Sequence, residues 1–106
     1  MTTETAMPFT IHSSEAGVHL DLDGEVTIRH ARELATQIAP VLEGVRTLTV
    51  GAAGVRVIDT CILQLLCSLR LTVSRFSIEN PSQEFLASMD RCALRREVMI
   101  GNREEK

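Results

Sequence analysis

The chain has 106 residues and a mass of 11.7 kDa, which is room for one ordinary domain. With 11 basic against 14 acidic side chains and a formal charge of −3, it lacks the basic stripe that a general nucleic-acid binder uses to neutralise phosphates. It has no Trp, no Tyr and three Phe, so stacking platforms for bases or sugars are nearly absent, and no run of about 18 apolar residues is available to span a membrane.

Residues 1–8 are polar and threonine-rich and read as a flexible arm. They show neither the basic start nor the apolar middle of a signal peptide. Cys61, Cys67 and Cys92 form an odd set without CxxC spacing, which predicts reduced thiols in a cytoplasmic protein, not a disulfide scaffold or a zinc site. From Phe9 the pattern takes period two. Phe9, Ile11, Val18, Leu20 and Leu22 alternate with Thr10, His12, His19, Asp21 and Asp23, as in half-buried strands. Ser14-Glu15-Ala16-Gly17 reads as a four-residue hairpin loop, and pairing Ser13 with Val18 sets Ile11 opposite Leu20 and Phe9 opposite Leu22. The same register puts His12 opposite His19 on the wet face. With no third ligand in the pattern, that pair reads as exposed polar residues and no metal site is expected.

Asp23-Gly24-Glu25 reads as a turn. Ala31, Leu34, Ala35, Ile38 and Leu42 then fall at helical spacing, which predicts an amphipathic helix from about Ile28 to Leu42, with Pro40 in its last turn and an end near Gly44. Val45 to Val50 is strand-like. Gly51-Ala52-Ala53-Gly54 reads as a loop, and the short apolar run Val55 to Ile58 ends at Asp59. Thr60 to about Leu71 is apolar almost all round, which predicts a helix buried on most sides. Its polar residues Thr60, Gln64 and Ser68 line up at i, i+4 and i+8. Phe76 to Glu79 is a short strand. Asn80-Pro81-Ser82-Gln83 then offers an N-cap, a proline at N1 and a glutamine at N3, and Phe85, Leu86, Met89 and Cys92 or Ala93 give the next helix its buried face. The tail Gly101 to Lys106 is charged and reads as mobile. The order strand, strand, helix, strand, helix, strand, helix predicts an α/β domain over residues 9–100, in which a hairpin leads into a small mixed, mostly parallel sheet with helices packed on it.

The chemistry concentrates at one place. GxSxG, P-loop, GxGxxG and HExxH motifs are all missing, so no enzyme and no cofactor is expected. At Ile58-Asp59-Thr60 a strand meets a helix with a carboxylate and a hydroxyl at the junction. Asp59 reads as the N-cap of that helix. Thr60 sits where an added phosphate is well tolerated, facing free N–H groups and the positive end of the dipole. Phosphorylation would add about −1.5 to −2 charges beside Asp59 and repel an acidic partner surface.

Asp59-Thr60-Cys61-Ile62 followed by Leu63-Gln64-Leu65-Leu66 resembles the central motif of the STAS domain family, the fold of anti-sigma factor antagonists. There a strand ends in Asp-Ser-Ser-Gly or Asp-Thr-Ala-Gly before a leucine-rich helix. Asp23-Gly24-Glu25-Val26 with the helix through Ala31 and Leu34 resembles the family's Gly-Glu segment and first helix, and Asn80-Pro81-Ser82 resembles the start of its last helix. Cys61 stands where the family has Ser or Ala, Ile62 where it has Gly, and the stretch from Asp59 to Asn80 is several residues shorter.

The resemblance implies a regulatory module that binds an anti-sigma-type kinase or signalling protein, with Thr60 as the phosphate acceptor. The expected partner-binding residues are Asp23, Gly24, Glu25, Gly54, Asp59, Cys61, Gln64 and Ser68. The alternative it implies is a non-phosphorylated STAS subunit of a lipid-transport ABC system, bound to its ATPase, or of a chemotaxis-type cluster. A homodimer through the apolar second helix is a further expectation.

Overall fold

The computed structural model describes residues 8–92, so the expected arm (Pro8 excepted), Ala93 and the charged tail lie outside the described residues. The elements are β1 (Phe9–Ser14), β2 (Gly17–Val26), a 3-10 turn over Ile28–His30, α1 (Ala31–Val41), β3 (Thr47–Ile58), α2 (Thr60–Thr72), β4 (Arg75–Glu79) and α3 (Gln83–Arg91). The sheet order is β1-β2-β3-β4, antiparallel at the hairpin and parallel across β2/β3 and β3/β4. This is the mixed, mostly parallel sheet that the alternation predicts.

The hairpin register is the predicted one, with Phe9 opposite Leu22, Ile11 opposite Leu20 and His12 opposite His19. The ladder runs one pair further, to Ser14 opposite Gly17, so the loop is Glu15-Ala16 alone. Gly17 carries φ +137, and a Cβ there would run into the Thr47 carbonyl of β3, so the extra pair depends on glycine.

Two predicted breaks are strand instead. β2 runs straight through Asp23-Gly24-Glu25, and β3 runs through Gly51-Ala52-Ala53-Gly54. Both stay in the parallel ladder. Asp21 pairs with Gly51, Asp23 with Gly54 and Glu25 with Val57, so β3 accommodates an extra residue at each of two register shifts. The glycines serve the ladder and not a loop: a Cβ at Gly51 or Gly54 would collide with the Asp21 or Asp23 carboxylate lying across it.

Val18, Leu20 and Leu22 of β2, Leu48, Val50 and Ala52 of β3, and Phe76 of β4 are buried. They form one core with Leu34 and Ile38 of α1, Ile62, Leu63, Leu66 and Leu69 of α2, and Phe85 and Met89 of α3. α2 is less enclosed than its composition predicts. Its outer face exposes Thr60, Gln64, Ser68 and Thr72, and Leu71 is 76% accessible. In α1, Pro40 falls in the last turn, as expected, and Gly44 follows with φ +74.

The cap of α3 is displaced from its predicted place. Asn80 adopts φ +49, a left-handed turn that Asn tolerates, and the N-cap is Ser82. Ser82 Oγ accepts from the Phe85 N–H at 3.0 Å and donates to the Val55 carbonyl at 2.7 Å, tying the helix start to β3. Ser82→Ala should therefore cost about 1–2 kcal/mol, a cap plus one tertiary hydrogen bond, read as a lower urea midpoint at unchanged m-value.

Candidate functional site

Parallel pairing of β2 with β3 carries the C-terminal ends of both strands to one end of the sheet. Asp23 lies beside Gly54, Gly24 beside Val55, Glu25 beside Val57 and Val26 beside Ile58. Each strand then feeds a helix, β2 through the 3-10 turn into α1, and β3 through Asp59 into α2. The Asp59 N–H donates to the Val26 carbonyl at 3.1 Å, so the ladder extends to the residue before α2.

Asp59 is half-buried and stands at the N-cap of α2 in extended conformation. Its backbone carbonyl accepts from the Ile62 and Leu63 N–H groups at 3.0 and 3.2 Å. Its side chain makes no cap bond to its own helix. The expected self-capping role is thereby corrected: Asp59 Oδ2 accepts from the Ile28 N–H at 2.7 Å, at the first residue of the 3-10 turn that leads into α1. The strand neighbours Val26 and Ile58 put these two helix starts side by side, and the carboxylate serves the neighbouring one. The preceding residue, Thr27, donates its N–H to His30 Nδ1 at 3.2 Å, which closes that turn locally.

Thr60 is the first residue of α2 and is exposed. Its Oγ1 lies 3.2 Å from Cys92 Sγ, just past the end of α3. Between β3 and α3 runs a shallow cleft of about 280 Å³ lined by Arg56, Val57, Asp59, Glu84, Ser88 and Arg91. Ser88 is buried and accepts from Arg91 Nη2 at 3.0 Å, which fixes that guanidinium on the cleft wall.

Of the residues singled out from the sequence, Glu25, Asp59, Thr60 and Cys61 stand at this end, whereas Asp23, Gly24 and Gly54 lie further back along the strands, Asp23 and Gly54 lining a second shallow cleft with Asp21, Gly51 and Asn80. Gln64 and Ser68 are exposed on α2 and lead away from this end, Ser68 by about 12 Å at 1.5 Å rise per residue. Ile62, standing where a glycine was expected, is fully buried and leaves the surface of the junction unobstructed. Three residues at this end escape the sequence reading. Ile28 is 66% and Val57 45% accessible, although the periodicity makes Ile28 the start of an ordinary helix and Val57 part of a short apolar run. Cys92 beside Thr60 is the third, since nothing local in the sequence joins residues so far apart.

Among the described residues, no group of three His, Cys, Asp or Glu side chains could hold a metal ion. His12 faces His19 across the hairpin, and His19 Nε2 pairs with Asp21 Oδ1 at 3.0 Å. No helix of the described residues is long and apolar enough to cross a membrane.

The family model described as "Mlab, STAS domain" matches residues 9–101. Among solved structures, the fold is similar to "Structure of the Anti-Sigma Factor Antagonist SpoIIAA in its Unphosphorylated Form", with a TM-score of 0.73 and 15% identity over 86% of this chain and 85% of that one. At that identity the likeness is one of fold. No curated protein matches the chain. The family match runs from the first strand, through the Asp59-Thr60 junction, past the end of α3, and on it the chain belongs to the STAS domain family.

Proposed function

We propose that this STAS domain is a regulatory protein-binding module that docks a partner kinase or signalling protein at the Asp23–Glu25 and Asp59–Thr60 end of its sheet, and that phosphorylation of Thr60 switches the docking. One observation carries the reading: the Asp59 carboxylate is committed to Ile28 and makes no cap bond to α2, and an exposed hydroxyl stands at the first position of that helix. A phosphate there would face the positive end of the helix dipole. It would add about −1.5 to −2 charges to a surface that already holds Asp59, which changes what can dock without reshaping the fold. The fold likeness to an anti-sigma factor antagonist supports the same reading. The module works in the cytoplasm as a binding protein with no chemistry of its own.

Incubation with ATP and a candidate anti-sigma-type kinase from the same genome, followed by mass spectrometry, tests it. The expected product carries one phosphate, on Thr60, and Thr60→Val takes up none. Modification elsewhere, or none at all, defeats the switch.

A second reading draws on the family description and on the Thr60 hydroxyl already having a partner in Cys92. In it the domain is a constitutive subunit of a lipid-transport ABC system, bound to the ATPase. Co-purification with that ATPase, unchanged by Thr60→Glu, selects the second reading over the first.

A further inference from the structure

The Thr60 hydroxyl, although exposed, is held from one side. Cys92 Sγ lies 3.2 Å from Oγ1, a separation suited to a weak hydrogen bond in which either atom donates. The Cys92 backbone is itself anchored: its N–H donates to the Ser88 carbonyl at 3.2 Å, and the buried Ser88 accepts from Arg91. The contact therefore ties the start of α2 to the end of α3.

We infer that Cys92 is a positioning residue for Thr60. Its thiol holds the hydroxyl against α3, and a kinase reaches the acceptor only from the population in which this contact is open. The inference rests on the reading of Thr60 as phosphoacceptor and adds to it what governs the rate and what the product does.

Transfer forms an Oγ1–P bond and breaks the bond between the γ-phosphorus of ATP and its bridging oxygen. ADP leaves with that electron pair, and the hydroxyl proton passes to a base of the kinase. In-line attack needs a lone pair of Oγ1 aimed at phosphorus with its approach clear. A sulfur in contact with Oγ1 occupies one side of the oxygen and restricts the rotamer. In the product, Oγ1 has lost its proton and the phosphoryl group cannot occupy the 3.2 Å gap, so the contact no longer forms with Thr60 as donor and is weakened. Phosphorylation is thereby felt at α3, on the segment that also carries Arg91 into the cleft beside Asp59.

Two measurements on the full chain test this. Cys92→Ala should raise the initial rate of Thr60 phosphorylation roughly two- to tenfold, the equilibrium factor of one weak neutral hydrogen bond, while Cys92→Ser, which restores a partner, should lie nearer the wild type. Equal rates in all three proteins overturn the inference and leave the phosphoacceptor reading standing. The second measurement needs no kinase. Thr60→Val removes the hydroxyl at nearly constant shape, so the iodoacetamide alkylation rate of Cys92, followed by peptide mass spectrometry with Cys67 as internal reference, should rise by a similar factor. An unchanged Cys92 rate shows that the contact does not form and overturns the inference directly. A thiol that responds in a protein whose Thr60 no kinase modifies overturns the phosphoacceptor reading, and the gate with it.

Discussion

Asp59→Ala is expected to lower the unfolding free energy by about 1.5–2 kcal/mol, near the low end of the range for a hydrogen bond to a charged group. The low end applies because water reaches the neighbourhood of Ile28, which is 66% accessible. The bond lost is the 2.7 Å contact from the Ile28 N–H to Oδ2, which joins residues in two different helix starts. Asp59→Asn keeps an oxygen acceptor without the charge and should recover about half of the loss. The location of the damage separates this role from an ordinary cap. Amide hydrogen exchange should speed up at Ile28 and along the 3-10 turn, while Ile62 and Leu63, bonded to the Asp59 backbone carbonyl, keep their protection in both variants. Loss of protection at Cys61 and Ile62, the amides a cap side chain serves, with Ile28 unchanged would mean that the carboxylate serves its own helix.

The same residue shows where sequence reasoning reached and where it stopped. Features decided by period and neighbours were legible: the hairpin register from alternation, α1 from its apolar stripe, and the Asp59-Thr60 junction from an apolar run ending in two polar residues. Features decided by pairing across the sheet were not. Gly51-Ala52-Ala53-Gly54 lacks any apolar alternation and reads as a loop, yet its backbone remains in the ladder because β2 lies beside it and Asp21 and Asp23 need its bare Cα atoms. Asp23-Gly24-Glu25 reads as a turn for the same local reason and stays strand for the same non-local one. Asn80 and Ser82 are both good caps by type. The choice fell to Ser82 because its hydroxyl can also reach the Val55 carbonyl on β3. Local chemistry gave Asp59 the helix that follows it, whereas the parallel register gave it the helix beside it.

The exposure of Ile28 and Val57 belongs to the same class of non-local fact, and it yields the largest expected effect on binding. Burying either side chain against a partner contributes about 1.5–3 kcal/mol, so replacing one with a charge should weaken docking by roughly 10- to 100-fold. Ile28→Glu and Val57→Glu both place the carboxylate where water already reaches, so the thermal midpoint should stay close to that of the wild type. Titration calorimetry with the partner, run beside thermal unfolding, separates a lost anchor from a lost fold. A docking constant unchanged in both variants would move the interface away from this end of the sheet. Thr60→Glu completes the comparison, because it tests the switch and not the surface. A partner controlled by phosphorylation loses affinity for Thr60→Glu as well as for Ile28→Glu. A constitutive ATPase partner loses affinity for Ile28→Glu and Val57→Glu alone. The apolar pair thus reports where the partner sits, whichever partner it is, and Thr60 reports whether the seat is regulated.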